Sequence, residues 1–465
     1  MRSSKVLALA AVSSFALATA AAAQTQPHIY QSPALSHDLI AFGYAGDLWT
    51  VPRTGGRATR LTTGVGVESG AVFSPDGQTI AFTGEYDGNT DVFTVPAAGG
   101  IPQRVTWHPA QDVAVGWSAD GKQVLFRSTR SAASRYTQIF AVSPRGGPAT
   151  ALPLPMAYDG KESPDGKAIA YNPMGPAFGF NFTNFVAWGN YAGGQASTLR
   201  ITTLSGLDSV EVPHQTAADF SPVWAGGKLY FLSGRGGPIS VYSYDPASKA
   251  VALVYRNTGP DIRSLGSDGR TLVFDRLGEL YTLEPGGQPQ RVPVEAVGDM
   301  PDVRAHIQNV GAEVQTVGVS PTGLRAVVEA HGEILTVPLK KGPVRNLTNS
   351  PGVMEREPAW SPDGQSVAFF SDESGLYALH VAPQAGDGPV RKFPLVNEPA
   401  YFFAPVWSPD SKKIAFRDNR LHTYVLDLVS GRLTQAGEPD VWGGFTSAAR
   451  GMAWSPDSKW LAWTR

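Results

Sequence analysis

The sequence predicts an all-β protein built of tandem β-propellers with four-stranded antiparallel blades. The first observation is a turn signature that recurs along the chain, and its four nearly identical copies are Ser74-Pro75-Asp76-Gly77, Trp360-Ser361-Pro362-Asp363-Gly364, Trp407-Ser408-Pro409-Asp410-Ser411 and Trp454-Ser455-Pro456-Asp457-Ser458. The second is the short apolar run that follows each copy, as in Ile80-Ala81-Phe82. The third is the spacing, which is 44 residues from Asp76 to Asp120 and 47 from Asp410 to Asp457. A repeat of this period is typical of propeller blades.

Each repeat contains the parts of one blade. Ser, Pro, Asp and Gly suit the four successive positions of a type I turn, because Pro presets φ and Gly tolerates the exit geometry. A strand-like apolar run follows the turn, and a second extended run, such as Asp91–Val95, comes after it. That run ends at a glycine pair, Gly99-Gly100, and a third run follows at Pro102–Thr106. With the extended stretch before the turn, these runs predict four antiparallel strands.

Two longer steps in the spacing predict the domain organisation. The step of 60 residues from Asp165 to Ala225 indicates an insertion in one blade, around residues 172–194. The step of 54 residues from Asp268 to Thr322 indicates a junction between two rings. We therefore expect a six-bladed propeller over residues 27–300. The first three to four blades of a second, truncated propeller are expected over residues 305–465.

The last repeat stops in the middle of a blade, at Trp463-Thr464-Arg465. An incomplete blade leaves an unpaired strand edge, which folded proteins avoid. We therefore expect the supplied chain to be a fragment of a longer protein.

The first 23 residues have the pattern of a signal peptide. Arg2 and Lys5 precede an apolar stretch over residues 6–20, and Ala21-Ala22-Ala23 fits a small-residue cleavage site. The alternative is a buried N-terminal helix. The sequence thus predicts export to the periplasm or beyond, and no later run is long enough to span a membrane. The absence of cysteine is compatible with export, and a net charge of −2 without a basic run argues against nucleic-acid binding.

Motifs for catalysis and cofactor binding are missing from the sequence. It has no Gly-x-Ser-x-Gly, no His-Glu-x-x-His and no phosphate-binding loop. His331-Gly332-Glu333 is the nearest His–Glu pairing, and its position predicts a turn at a blade edge. Asp87-Gly88-Asn89-Thr90-Asp91 alternates oxygen ligands as a calcium loop does, but its Gly is misplaced, so we predict a hairpin. We expect no catalytic residue, metal or cofactor in this chain.

Two groups of residues are candidates for binding. Arg127, Arg130 and Arg135 surround one predicted hairpin, where guanidinium groups could hold a peptide carboxylate; a solvated loop is the alternative. An aromatic stretch in the insertion, from Phe178 to Tyr191, is either an exposed binding patch or the cover of a blade or a neighbouring subunit. The Trp of the Trp-Ser-Pro-Asp copies is predicted to lie in the core between blades.

The repeat resembles the propeller repeat of TolB and tricorn-type proteins. The stretch from Val310 to Phe370 is similar to bacterial tricorn protease homologues, which are S41-type serine peptidases. Its matching segments are Gly318-Val319-Ser320-Pro321-Thr322-Gly323, His331-Gly332-Glu333-Ile334-Leu335-Thr336-Val337-Pro338, Asn346-Leu347-Thr348 and Arg356-Glu357-Pro358-Ala359-Trp360-Ser361-Pro362-Asp363-Gly364. Tyr191-Ala192-Gly193-Gly194 resembles a Tyr-Arg-Gly-Gly element of the family, with Ala in place of Arg.

The resemblance implies a six-bladed ring, a seven-bladed ring, a PDZ domain and a C-terminal peptidase core that holds the catalytic residues. It implies propellers that gate and guide oligopeptides, and assembly into hexamers. The chain is thus expected to be the catalytically silent propeller part of an exported tricorn-like peptidase, although relatives without a signal peptide are cytoplasmic. The alternatives are a non-enzymatic TolB-like binding propeller and the propeller half of an amidohydrolase.

Overall fold

A computed structural model describes residues 28–131, 136–175, 196–206, 208–215, 217–300, 307, 309–397, 400–420, 422–437 and 451–463. Regular structure in these residues is β-strand, apart from one single-turn 3-10 helix at Gly311–Glu313. The strands form successive antiparallel sheets in which neighbours along the chain pair with each other. This confirms the predicted fold class.

Six four-stranded sheets follow one another between Gln31 and Arg291. The first three sheets comprise β1 (Gln31–Leu35), β2 (Leu39–Tyr44), β3 (Asp47–Pro52) and β5 (Thr59–Arg60), with β4 (Gly56–Arg57) before β5; β6 (Glu68–Phe73), β7 (Thr79–Tyr86), β8 (Asn89–Pro96) and β9 (Gln103–Arg104); and β10 (Asp112–Trp117), β11 (Val124–Ser128), β12 (Gln138–Val142) and β13 (Thr150–Ala151). The next three comprise β14 (Asp159–Glu162), β15 (Ala168–Asn172), β16 (Arg200–Thr203) and β17 (Ser209–Glu211); β18 (Asp219–Ala225), β19 (Lys228–Ser233), β20 (Ser240–Asp245) and β21 (Ala250–Tyr255); and β22 (Ser264–Ser267), β23 (Leu272–Arg276), β24 (Glu279–Leu283) and β25 (Gln290–Arg291). We call these sheets blades 1 to 6, or the first ring.

Three more four-stranded sheets and one strand pair follow in the second half of the chain. They comprise β27 (Val314–Val319), β28 (Arg325–Ala330), β29 (Glu333–Pro338) and β30 (Arg345–Asn346); β31 (Glu355–Trp360), β32 (Ser366–Ser371), β33 (Ala378–Pro383) and β34 (Arg391–Pro394); β35 (Phe402–Trp407), β36 (Lys413–Asp418), β37 (Thr423–Asp427) and β38 (Leu433–Gln435); and β39 (Met452–Trp454) with β40 (Leu461–Trp463). We call these sheets blades 7 to 10, or the second ring. The predicted domain bounds stay predictions.

The first ring is closed by a parallel strand pair. The short strand β26 (Val294–Glu295) follows blade 6 and pairs with β4 of blade 1, with Glu295 opposite Arg57. The amide of Gly56 donates to the carbonyl of Pro293 at 2.8 Å, and that of Ala58 donates to Glu295 at 2.9 Å. Residues that follow blade 6 therefore complete the strands of blade 1.

The core lies between blades, because neighbouring sheets pack face to face. Phe42 and Trp49 of blade 1 share one cluster with Val273 and Leu280 of blade 6, and the first and last sheets of the ring therefore touch. Burial of this apolar surface is the main force that holds blades together. Buried apolar runs alternate with polar turns along the chain, and this alternation explains why the sequence pattern predicted the blades.

The Ser-Pro-Asp-Gly signature forms the predicted turn. The amide of Gly77 donates to the carbonyl of Ser74 at 2.8 Å, and the Ser74 hydroxyl donates to Asp76 Oδ1 at 2.5 Å. That serine bond lowers the pKa of Asp76, and the equivalent bond lowers the pKa of Asp120 to about 2. The same bond joins Ser and Asp in further copies, which begin at Ser118, Ser163, Ser361, Ser408 and Ser455.

The repeated tryptophans link neighbouring blades. Trp407 is buried in a cluster with Phe370 of the preceding blade, as predicted for inter-blade core. Its indole N–H donates at 3.1 Å to the carbonyl of Ala359 in that blade. The same contact recurs for Trp117 with Val72, Trp224 with Lys161 and Trp454 with Val406. Each of these four tryptophans therefore supplies both apolar area and one directional bond between blades, whereas Trp360 packs against its cluster without a partner for its N–H in the described part of the chain.

The closure of the first ring predicts a difference between two equivalent glycines. Gly55 (φ +86°) and Gly99 (φ +95°) both lie in the turn after the third strand of a blade. A Cβ on Gly55 would lie 2.4 Å from the Pro293 carbonyl oxygen, whereas Gly99 faces open space. Gly99→Ala should cost about 1 kcal/mol of unfolding free energy through backbone strain. Gly55→Ala should cost about 2 kcal/mol more through steric overlap. Urea unfolding of both variants measures this, and equal losses would contradict the closure.

Candidate functional site

The innermost strands of the first ring line a large cavity. Its volume is about 2050 Å³, and all six blades contribute to its wall. One lining residue from each innermost strand is Ser32, Ser69, Val113, Lys161, Ser221 and Ser264. Four of these six residues are serines. Part of the second ring, including Tyr377 and Tyr401, also borders the cavity.

A bulge interrupts the pairing of several innermost strands. The register shifts within β1, β6, β18, β31 and β35, each time near the middle of the strand. A residue of positive φ lies in each bulge, and these residues are Ser32, Gly70, Ser221, Glu357 and Ala404. A bulge leaves a residue unpaired and redirects its neighbours. In the first ring, the wall of the cavity is therefore built from main chain as well as from side chains.

Arg127 presents a cationic group to this cavity. Its guanidinium carbon lies 4.0 Å from the centroid of the Tyr158 ring, and Nη1 donates weakly to the Tyr158 carbonyl at 3.4 Å. Both residues line the cavity, and no carboxylate in the described part of the chain forms an ion pair with Arg127. A guanidinium stacked on an aromatic ring keeps donors free for an anion.

Arg130 has a different role from Arg127, although the sequence grouped them. Its Nη2 donates to Asp112, a fully buried carboxylate, and its guanidinium lies 4.8 Å from the Phe126 ring centroid. The charge of Arg130 is therefore compensated within its own blade. Arg135 lies outside the described residues. Binding of a peptide carboxylate by any of the three arginines stays a prediction.

A second charged group lines the cavity in blade 4. Lys161 donates to the Val115 carbonyl of blade 3, and its Nζ lies 3.2 Å from Asp159 Oδ1. Glu162 Oε2 accepts the amide of Ala119 at 2.9 Å, and burial raises the pKa of Glu162. Sequence reasoning missed this group. The signal was present, because Lys161-Glu162 occupies the position before Ser-Pro-Asp-Gly where other copies carry an aromatic residue.

The second ring borders the cavity with an aromatic pair. The rings of Tyr377 and Tyr401 lie 5.2 Å apart and are tilted by 43°. The guanidinium of Arg356 lies 5.7 Å from the Tyr401 ring centroid, and burial raises the pKa of Tyr377. This pair gives the second ring an aromatic surface with two hydroxyl groups at the cavity.

The other sequence motifs have structural roles where they are described. Asp87 and Gly88 have positive φ and join β7 to β8, and His331 and Gly332 join β28 to β29 in the same way. Both predicted turns are therefore confirmed. The aromatic insertion from Phe178 to Tyr191 and the candidate signal peptide lie outside the described residues.

The described residues also bear on metals and membranes. They contain no group of three or more His, Cys, Asp or Glu side chains that could hold a metal ion. Within the same part of the chain, no helix has the length and apolar character needed to cross a bilayer.

Comparison with known proteins identifies the family. The family model for the tricorn protease N-terminal beta propeller domain matches residues 27–289, which are most of the first ring. The chain belongs to the tricorn protease propeller family. The tricorn protease homolog 1 of Streptomyces coelicolor is 27% identical over 437 residues, covering 92% of this chain and 40% of the relative. The tricorn protease of Thermoplasma acidophilum is 25% identical over 291 residues, covering 59% and 25%.

The tandem arrangement also matches a solved tricorn structure. The crystal structure of the tricorn protease aligns with a TM-score of 0.51 at 19% identity, covering 94% of this chain and 41% of that chain. At this identity the likeness shows the fold alone. The chain thus spans about 40% of the length of the first relative it matches.

Arg127, which lines the cavity, and Arg130, which does not, are predicted to differ in their effect on stability. Arg130→Ala should lower the free energy of unfolding by about 3 kcal/mol, because it leaves the buried Asp112 carboxylate unpaired. Arg127→Ala should lower it by less than about 1 kcal/mol, since no buried charge loses a partner. Chemical denaturation of the two variants and the wild type measures this, and a larger loss for Arg127→Ala would refute the assignment.

Proposed function

We propose that this chain is the propeller portion of a tricorn-like serine peptidase and that its channels guide oligopeptides to a catalytic core outside this sequence. The observation that carries the proposal is the family match over the first ring. Membership in a peptidase family links this ring to peptides, and its innermost strands line a cavity of about 2050 Å³. In this proposal the propeller controls access to the catalytic core.

The lining of the first ring suits an extended peptide of varied sequence. Small hydroxyl side chains impose few steric demands, and bulged main chain offers donors and acceptors that any peptide can use. Arg127 supplies a charge for a peptide's terminal carboxylate. We assign this role to Arg127 in preference to Arg130, because Arg130 would have to leave Asp112. Arg135 stays a third candidate.

Several finer features belong to the same proposal. The second ring would be completed to seven blades, and PDZ and peptidase domains would follow and provide the catalytic residues. Assembly into hexamers and export directed by residues 1–23 are proposed in the same way. The non-enzymatic TolB-like propeller and the amidohydrolase propeller are the competing functions.

The first experiment asks whether this chain cleaves peptides. Purified residues 24–465 should leave chromogenic oligopeptides intact, and a serine-directed covalent probe should not label them. The reason is that no serine of the chain lies in a nucleophile motif. Mass spectrometry and an absorbance assay measure the two outcomes, with a known serine peptidase as positive control. Peptide cleavage that persists through purification would contradict the proposal that the catalytic core lies outside this sequence.

The second experiment asks whether Arg127 holds a peptide carboxylate. Arg127→Gln should weaken binding of a fluorescent oligopeptide with a free C-terminus about tenfold, as expected for loss of one charge-assisted hydrogen bond. Binding of the same peptide as a C-terminal amide should not change. Fluorescence anisotropy measures both affinities. Arg145→Gln is the matched control, because Arg145 is exposed and does not line the cavity.

The two peptide forms separate the possible results. An equal effect of Arg127→Gln on acid and amide would reject the carboxylate role but leave peptide guidance standing. Absence of binding for every peptide, with binding of a folded protein partner instead, would favour the TolB-like alternative.

A further inference from the structure

A buried acid begins the innermost strand of four blades. These acids are Glu68, Asp112, Asp219 and Glu355, and none is more than 3% exposed. Each pairs across the sheet with the last part of the second strand, opposite Gly84, Ser128, Ser233 and Ser371. The four positions are therefore equivalent in the repeat, and their surroundings can be compared directly.

In the first ring, each of the three acids is paired with a hydrogen-bond donor that lies two residues after its cross-strand partner in the sequence. Asp112 is paired with Arg130, and Asp219 is paired with Arg235 at 2.5 Å. Glu68 accepts the hydroxyl hydrogen of Tyr86. A buried carboxylate needs such a partner, since burial without one is costly.

Blade 8 breaks this rule. The equivalent position is Glu373, whose carboxylate pairs instead with Lys392. Glu355 Oε1 accepts hydrogen bonds from Ser350 at 2.8 Å and Ser371 at 3.3 Å. Glu355 Oε2 is buried and has no hydrogen-bond partner in the described part of the chain.

The charged groups around Glu355 do not compensate it. Glu333 of β29 carries the same charge and is held by the Thr348 hydroxyl at 2.5 Å. The guanidinium of Arg356, the next residue in the chain, lies 3.7 Å from Glu329 of β28 and is paired with that carboxylate.

Further groups around the same junction are occupied as well. Asp372, after β32, accepts the Met354 amide at 2.8 Å, and His331 lies 2.7 Å from Glu313. Just before β35, the Tyr401 ring lies 5.7 Å from the guanidinium of Arg356. The local field at Glu355 is therefore unfavourable to a negative charge.

We propose that the protonation state of Glu355 controls how tightly blades 7 and 8 pack against each other. With a proton bound, the carboxyl is neutral and the junction between β31 and the turn at Ser350 is tight. When the proton leaves, a buried charge without a cation loosens that junction. Because β31 is an innermost strand, this change reaches the wall of the second ring.

The pH range follows from the same surroundings. Burial, reinforced by Glu333, raises the pKa of Glu355 from 4.5 to about 7. Below pH 4.5 the folded and unfolded chains both hold the proton, so Glu355 makes the free energy of unfolding neither rise nor fall with pH. As pH rises from 4.5 to about 7, only the folded chain keeps the proton, and stability falls with pH. Above this range the penalty is complete and constant.

The test compares the full chain with Glu355→Gln, which imitates the protonated acid. At pH 8 this variant should melt ~3 °C or more above the wild type, and at pH 5 the two should agree within ~1 °C. Hydrogen–deuterium exchange of residues 347–360, corrected for the chemical exchange rate, should rise from pH 6 to pH 8 in the wild type only. A melting difference that is the same at both pH values would overturn the proposal.

A second pair of variants tests the missing partner. Glu373→Arg restores the residue type of blades 3 and 5 and should remove the destabilisation of the wild type at pH 8. Glu373→Gln is its matched control, because it also breaks the Lys392 pair but adds no guanidinium, and it should keep the destabilisation. Equal behaviour of the two variants would show that the missing cation is not the cause.

Discussion

Closure of the first ring is the constraint on which the rest of this structure depends. A row of blades exposes two apolar faces at its ends, and only contact between the first and last blades buries both. Here β26 supplies a strand partner for β4, while Phe42 and Trp49 pack against Val273 and Leu280. This contact closes the six sheets into a ring. The cavity and the charged residues that line it depend on that closure, because all six blades contribute to the cavity wall.

Between the blades, one set of contacts is repeated with local changes. The Ser–Asp turn and the tryptophan N–H bond fix the distance and tilt of neighbouring sheets. The position before the turn can then change without loss of the fold, as Lys161-Glu162 shows in the channel wall. The buried acid varies in the same way, from paired Asp112 to uncompensated Glu355.

The sequence predicted the features that depend on local chemistry. Turn residues and alternating apolar runs are short-range signals, so the blades, the hairpin at Asp87-Gly88 and the inter-blade tryptophans were predictable. The partners of charged residues were not, because they depend on which side chains face each other across strands. Arg127 and Arg130 look alike in sequence, yet one stacks on Tyr158 and the other neutralises Asp112. Among the bulges of the innermost strands that contain a residue of positive φ, only that at Gly70 is marked by a glycine, and Ser32, Ser221, Glu357 and Ala404 give no comparable signal.

The closure of the first ring can be measured directly in a chain without cysteine. The double variant Arg57→Cys/Glu295→Cys places two thiols at opposed positions of β4 and β26. Mild oxidation should give a single intramolecular disulfide, identified by mass spectrometry of the linked peptides. Thr50→Cys/Thr59→Cys, within blade 1, is the positive control. Efficient linkage of the control without any link between positions 57 and 295 would contradict a closed first ring.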